Sequence, residues 1–476
     1  MSSALQGKYD NDIALLNEKL RVGVSFDIID KKIKVADKKA TLYCVDGFVK
    51  EEVLEKMLEF FTKIPVEDMK KITDTKNLVD NFITYIECST ENDVDNMITL
   101  VLSGAIAMIV EGFKEAVIID ARTYPAREVG EPENDKVLRG AHEGFVETLV
   151  FNTALVRRKI RDPQLTFELY QIGEKSKSDV IVAYIDGLQD KKKLKIIKDK
   201  LKLIRVDALA MGQESLKECL MPNQPWNPFP KVRFTERPDT ASACLYEGNI
   251  LILCDGSPSA MIIPTGIFDF IQDINDYYFS PCVGTFLRYV RMGVFFFSLM
   301  LTPVWYLLIL NEQWIPTWLE AIKIQEPSSV PVIVQLLIIE FVIDALKLAS
   351  LNTPGALSNS FSVVGALVLG EFAVTSGLFS NEVVLFMAFD AIANFTQPSY
   401  ELGYAIKISR ILIIILTALF NLWGFIAGLA LTLIAICVTK TIDGYTYLYP
   451  LIPFNKNALC SLLVRKRINV KYSNEN

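Results

Sequence analysis

The sequence predicts an α/β soluble N-terminal module of two related subdomains, followed by an all-α polytopic transmembrane domain. Three observations carry that reading. The apolar residues, 51% of the chain, crowd beyond Arg288. An apolar strand closed by Asp-Gly occurs twice before that point. Past it come uncharged runs long enough to cross about 30 Å of hydrocarbon at about 1.5 Å per helical residue. The expected organisation is an N-terminal extension over 1–25 and a first α/β subdomain with charged connecting helices over 26–173. A second subdomain follows over 174–285, then a helical domain of four to six spans over 286–440 and a tail over 441–476.

The soluble module opens on a polar stretch, 1–20, with acidic residues where a secretory signal needs an apolar core, so the module is expected to stay in the cytoplasm. Residues 42–48 (LYCVDGF) are echoed by 182–188 (VAYIDGL), each an apolar strand leading into a charged amphipathic stretch. Farther on, Gly104, Gly112 and Ala116 recur at one offset as Gly248, Gly256 and Ala260, in segments that fit two strands joined by a glycine turn. Each subdomain is therefore expected to hold a strand, a helix and a β-hairpin, over 26–120 and 179–270. Asp46 and Asp186 close the paired strands. Asp-Gly in that place is turn chemistry first and a ligand or metal contact second.

Between the repeats lies a charge-dense segment with Arg127, Glu131, Arg139, His142 and Glu143, running into an amphipathic helix that ends at Arg157 and Arg158. Such segments form salt-bridged contacts between subdomains or subunits; a solvated basic helix end is the alternative. His142, the only histidine, accompanies no nucleophile motif, and one histidine with scattered cysteines gives no zinc spacing. There is no phosphate-binding glycine loop of the G-x-x-x-x-G-K-[ST] type. An enzyme is not indicated, and neither a metal nor another cofactor is called for. The eight cysteines form no C-x-x-C pair and read as reduced core residues. A formal net charge of -7 without a clustered basic face excludes nucleic acid as a partner.

The first expected span, 292–310, is uncharged, preceded by Arg288 and Arg291 and followed by Trp314 and Trp318, as cytoplasmic cations and an interfacial aromatic belt would be placed. The second run, 331–351, carries Glu340, Asp344 and Lys347 at i, i+4 and i+7 on one helical face. Each charge costs at least about 2.5 to 3.5 kcal/mol at the bilayer centre, so that face must meet other helices, a partner or water. It is either a polar pathway lining or a structural Asp344–Lys347 pair. A third span, 361–379, has Glu371 near its middle. The stretch 383–397 holds Asp390 and is short, so it is either a re-entrant or broken helix or a tilted crossing. Last, 411–438 follows Lys407 and Arg410 and is either one tilted span or two helices bent at 421–424. The cations at 440 and 465–467 place the tail in the cytoplasm, which demands an even number of crossings.

Several ordered motifs run through this pattern: Tyr124-Pro125-Ala126-Arg127, Glu131-Pro132, Arg139-Gly140, Phe145-Val146-Glu147, Asn152 with Arg157-Arg158, Asp276-Tyr277-Tyr278 and Phe286-Leu287-Arg288. Thr353-Pro354-Gly355-Ala356-Leu357, Ala373-Val374 and Pro398-Ser399-Tyr400-Glu401-Leu402 continue them. In these the chain resembles the A-subunit family of GerA-type spore germinant receptors, most closely its stage V sporulation protein AF branch. Ala141 and His142 stand where receptor A subunits read Pro-Arg, and Ser280-Pro281-Cys282 replaces Glu-Arg-Pro. Both departures favour the sporulation-protein branch and count against direct recognition of nutrient germinants.

The resemblance implies a protein of the spore inner membrane that acts in germination beside other spore membrane germination proteins, and homo-oligomeric rings that conduct monovalent cations. The leading functional expectation is an oligomeric cation channel subunit or channel regulator in the lipid bilayer, with Glu340, Asp344, Lys347, Glu371 and Asp390 on its polar membrane face. A proton-coupled secondary transporter and a nonconducting scaffold are the alternatives.

Overall fold

In the computed structural model the described residues are 4–83, 85, 87–122, 142–221, 224, 226–326, 328–352, 376–444 and 446–465. They fall into two units, Met1–Met221 with Val232–Pro264, and Pro222–Lys231 with Thr265–Asn476.

In the first unit, β1 (Ile28–Val35) and β2 (Lys38–Val45) pair as an antiparallel hairpin, with the apolar run of β2 buried. With β3 (Cys88–Glu91), β4 (Ile106–Val110) and β5 (Ala116–Ile119) it forms an antiparallel sheet in the order β1-β2-β4-β5-β3. A second sheet repeats that order as β6-β7-β9-β10-β8, from β6 (Leu165–Ile172), β7 (Ser178–Ile185), β8 (Arg233–Thr235), β9 (Ile250–Cys254) and β10 (Ala260–Ile263). The duplication reaches single residues. Gly112 and Gly256 turn the β4–β5 and β9–β10 hairpins at φ of 87° and 74°, a region that side chains enter only with strain. Asp46 and Asp186 sit in the turns after β2 and β7, and Asp186 also pairs with Arg21 at 3.1 Å.

Because strand side chains alternate, each face of a buried sheet needs its own cover. Tyr43 and Val45 of β2 pack against α1 (Tyr9–Leu20) and α5 (Val94–Leu102). Leu42 and Cys44 face α2 (Glu51–Lys63), α3 (Val66–Met69) and α4 (Thr75–Phe82). On the second sheet, Phe167, Ile181 and Ala183 pack under α6 (Leu149–Lys159) and α9 (Pro238–Tyr246). Helices α7 (Lys191–Leu203) and α8 (Gln213–Leu220) complete that repeat. Three boundaries differ from those read in the sequence. Helix α1 buries Ile13, Leu16 and Leu20 in the first core, so 1–25 is an integral layer of the first repeat. Strand β6 lies on the N-terminal side of position 174 yet belongs to the second sheet, because a hairpin partner was hidden in polar-looking sequence. Residues beyond Pro264 belong to the helical unit.

The two sheets are joined by one buried ion pair. Arg157 at the end of α6 directs Nε to Asp27 Oδ2 at 2.7 Å and Nη2 to Asp27 Oδ1 at 3.0 Å, and donates also to the carbonyls of Leu165 and Asp162. Ser25 Oγ donates to the same carboxylate and accepts from the Phe167 amide. Both charges are fully enclosed.

The helical unit consists of α10 (Asn275–Tyr278), α11 (Pro281–Leu310), α12 (Val332–Asn352), α13 (Asn381–Phe395), α14 (Tyr400–Val438) and α15 (Lys456–Leu463) among the described residues. Proline suits the first turn of α11, where no intrahelical donor is needed. The expected third span, with Glu371, lies outside the described residues up to 375, and 376–380 is a turn. Helix α13 runs unbroken through Asp390, so a broken helix there is ruled out; its 15 residues reach about 22 Å. Helix α14 settles the alternative at 421–424. Asn421 takes φ 51° and ψ −131°, and a Cβ on Gly428 would lie 2.9 Å from the Ile413 Cα. In a straight helix those two residues would stand about 22 Å apart, so the chain reverses at Asn421 into two antiparallel arms. Gly424 and Gly428 allow the arms to touch.

A reciprocal amide pair holds the reversal: Asn311 Nδ2 donates to Asn421 Oδ1 at 2.6 Å, and Asn421 Nδ2 to Asn311 Oδ1 at 3.0 Å. The end of α11 and the α14 turn thus share one end of the unit, where Trp314, Trp318 and Trp423 are exposed. At the opposite end Arg288 bonds Asp276 at 3.2 Å and the Ser461 carbonyl of α15 at 2.8 Å. Asn227 there donates to Thr439 Oγ1 at 2.6 Å beyond the returning arm.

Two expectations follow. Arg157→Met strands a buried Asp27 carboxylate and should cost about 3–5 kcal/mol, part of which Asp27→Asn in the same chain restores, as read by thermal unfolding. Asn421→Val forces a β-branched residue into a glycine-type conformation and should cost about 1–3 kcal/mol, whereas Asn421→Gly should cost less, in the same assay.

Candidate functional site

Helix α12 presents Glu340, Asp344 and Lys347 from one face because of their i, i+4, i+7 spacing. That face meets the first arm of α14, which brings Lys407 and Arg410, and α13, which brings Asp390; α11 supplies Ser298 and Thr302. Arg410 Nε lies 3.0 Å from Glu340 Oε1, its Nη2 bonds the same oxygen, and its Nη1 donates to the Ser298 carbonyl at 2.8 Å. Lys407 Nζ lies 2.8 Å from Glu340 Oε2 and 2.7 Å from Asp344 Oδ1, and donates to the Glu340 carbonyl at 3.1 Å. Asp390 Oδ2 is 3.3 Å from Arg410 Nε and accepts from Thr302 Oγ1 at 2.5 Å. Lys347 sits over the Phe395 and Tyr404 rings, 4.7 and 5.6 Å from their centroids.

Glu340, Asp390, Lys407 and Arg410 are all buried, while Asp344 is about one third exposed. Charges enclosed among apolar helices persist only when paired and hydrogen-bonded. Here Glu340, Asp344 and Asp390 are ion-paired by two cations, Lys407 and Arg410, with Lys347 over the aromatic rings beside them. One acceptor position is left over, since Asp390 Oδ1 is buried without a hydrogen-bond partner among the described residues, whereas Asp344 Oδ1 is held by Lys407. An orphaned carboxylate oxygen inside an apolar domain is a place for a proton, a water or a cation.

The sequence reading identified Glu340, Asp344, Lys347 and Asp390, and the structure brings all four together. It pairs Asp344 with Lys407, not with Lys347, because Lys347 turns toward the aromatic rings of neighbouring helices. Glu371 lies outside the described residues. Lys407 and Arg410 were read as cations flanking a span. They are buried inside α14, which begins earlier than the apolar run, at Tyr400. Their i, i+3 spacing before an apolar stretch, set against unpaired acids elsewhere, was the available signal.

In the soluble module, Glu143 pairs with Lys159 and with Arg158 at 3.5 Å, and His142 is exposed. Arg157 joins the two sheets as described. Arg127, Glu131 and Arg139 lie outside the described residues. Glu168 accepts from Tyr184 at 2.6 Å, Tyr170 at 2.9 Å and Lys198 at 2.6 Å. Burial works to raise its pKa, yet those hydrogen bonds hold it below the usual carboxylate range. Among the described residues no group of three or more His, Cys, Asp or Glu is placed to hold a metal ion.

Comparison with known proteins adds the lineage. The family described as Bacillus/Clostridium GerA spore germination protein matches residues 14–475. The chain is 38% identical to stage V sporulation protein AF of Bacillus subtilis (strain 168) over 93% of its length and 90% of that protein's. It is 28% identical to spore germination protein KA of the same organism, over 94% of this chain and 82% of the other. The crystal structure of the N-terminal domain of the A subunit of the Bacillus megaterium spore germinant receptor GerK3 matches 55% of this chain and 96% of that one, at 25% identity and a TM-score of 0.43.

The ion network predicts a coupling. Arg410→Met alone leaves Glu340 and Asp390 facing each other in an apolar interior and should cost about 3–5 kcal/mol in detergent. Combining it with Glu340→Gln should recover a measurable part in a double-mutant cycle, whereas strict additivity would show that the two residues are not coupled.

Proposed function

The chain belongs to the GerA spore germination protein family, and on that premise we propose that it is a subunit of an oligomeric cation channel, or a regulator of one, that promotes ion release during germination. The family places it among spore germination membrane proteins. The observation that carries the finer reading is the buried cluster of Glu340, Asp344 and Asp390 under Lys407 and Arg410. Buried charge of this density is costly, and within membranes it marks ion or proton pathways.

In this reading the cations neutralise the acids in the resting chain. A shift of the α14 arms against α12 frees the acids, and several copies arranged in a ring present them to passing monovalent cations. Helices α11 and α14 are long and apolar enough to cross a membrane. The α14 reversal provides two crossings, and α11 begins at the end of the unit to which α15 returns. That arrangement supports a multi-pass protein of the spore inner membrane whose soluble module and tail both lie in the cytoplasm. Other spore membrane germination proteins are its proposed partners.

Ion flux from liposomes carrying the purified chain tests the proposal. Wild type should leak monovalent cations, Arg410→Gln should leak faster, and Glu340→Gln should lower the flux or its cation preference. A flux that runs only with a pH gradient would instead indicate a proton-coupled transporter using Asp390. Equal silence from all three forms would leave the nonconducting scaffold as the better reading.

A further inference from the structure

Strands β1 and β6 are the equivalent outer strands of the two repeats, and their free edges face each other across a cleft of about 730 Å³. The hydrogen-bond ladders fix which backbone groups point into it. The Asp46 amide donates to the Asp27 carbonyl at 2.8 Å, so the alternate residues Ile28, Asp30 and Lys32 turn their N–H and C=O groups away from β2. The Asp186 amide donates to the Gln164 carbonyl at 2.9 Å, so Leu165, Phe167, Leu169 and Gln171 turn theirs away from β7.

At the closed end of the cleft these outward groups are used. Leu165 O accepts from Arg157, Phe167 O accepts from the Phe26 amide at 2.8 Å, and the Phe167 amide donates to Ser25 Oγ at 3.1 Å. The edges then diverge. Beyond that point the outward backbone of Asp30, Lys32, Leu169 and Gln171 has no hydrogen-bond partner among the described residues. Ile29 and Leu169, on opposite walls, are exposed apolar side chains.

We propose that this cleft takes up an extended, acidic peptide segment of a partner protein, which enters as an added strand between β1 and β6. Main-chain bonds to two facing edges supply affinity, as in strand addition to an open sheet. Charge selects the occupant. Lys31, Lys32 and Lys34 continue the open edge of β1 beyond Asp30, the last β1 residue that lines the cleft, and are exposed with no ion pair among the described residues. Of the two acids lining the cleft, Glu168 is already engaged by Tyr184, Tyr170 and Lys198. A second copy of the chain is disfavoured as occupant, since pairing β1 with β1 sets lysine against lysine.

Amide hydrogen exchange on the full chain in detergent tests this, with a capped hexapeptide alternating glutamate and valine as probe. The amides of Asp30, Lys32, Leu169 and Gln171 should gain protection on adding it. A lysine–valine peptide, or the glutamate peptide N-methylated at alternate positions, should bind at least about tenfold more weakly, which is about 1.4 kcal/mol. Leu169→Pro removes one outward donor on an edge strand and should abolish that protection while the rest of the β6–β7 hairpin exchanges as before. The proposal is overturned if those amides are already protected in the chain alone, which would mean the cleft is filled from within. It is equally overturned if protection follows chain concentration without peptide, the signature of a second copy, or if the lysine peptide binds as well as the acidic one.

Discussion

A carboxylate enclosed by apolar helices must bring its own counter-charge, and the helical unit is organised around that constraint. Arg410 reaches Glu340 on α12, the Ser298 carbonyl on α11 and Asp390 on α13 from its place on α14. One guanidinium therefore ties four helices, a task suited to its planar fork of donors. Lys407 repeats the link one turn earlier and extends it to Asp344. Remove the cations and the acids can no longer remain charged in that interior; remove the acids and the cations lose their reason to be there.

The soluble module meets the same constraint at the seam of its duplication. Arg157 and Asp27 are as enclosed as Arg410 and Glu340, and they too come from segments far apart in the chain. Apolar contacts cross the seam too, since Ala154 of α6 sits in the first core and Phe26 packs against the second. A buried ion pair with four further hydrogen bonds around it has far fewer acceptable geometries than an apolar contact, which gives this seam a definite register.

Much of this was legible in the chain. The repeat was readable because both copies need a glycine at the same turn, and the offset between Gly112 and Gly256 carries over to β4, β5, β9 and β10. The acids of α12 were readable because charge within an apolar run is conspicuous. Strands β1 and β6 were not, since outer strands expose lysines, glutamate and glutamine and show little alternation. Helix α1 escaped notice for a related reason: its buried stripe of Ile13, Leu16 and Leu20 is set among charged residues.

The sequence by itself determined the class of the molecule: a duplicated α/β module joined to an apolar helical domain. Composition and period are local properties that survive without knowledge of the fold. Only the tertiary structure decided that α14 doubles back at Asn421, that Asp344 pairs with Lys407, and that Arg410 is the hub of the network. Each of those outcomes depends on which distant residues meet, because a charge buried in an apolar interior is acceptable only beside a partner that the linear chain does not name.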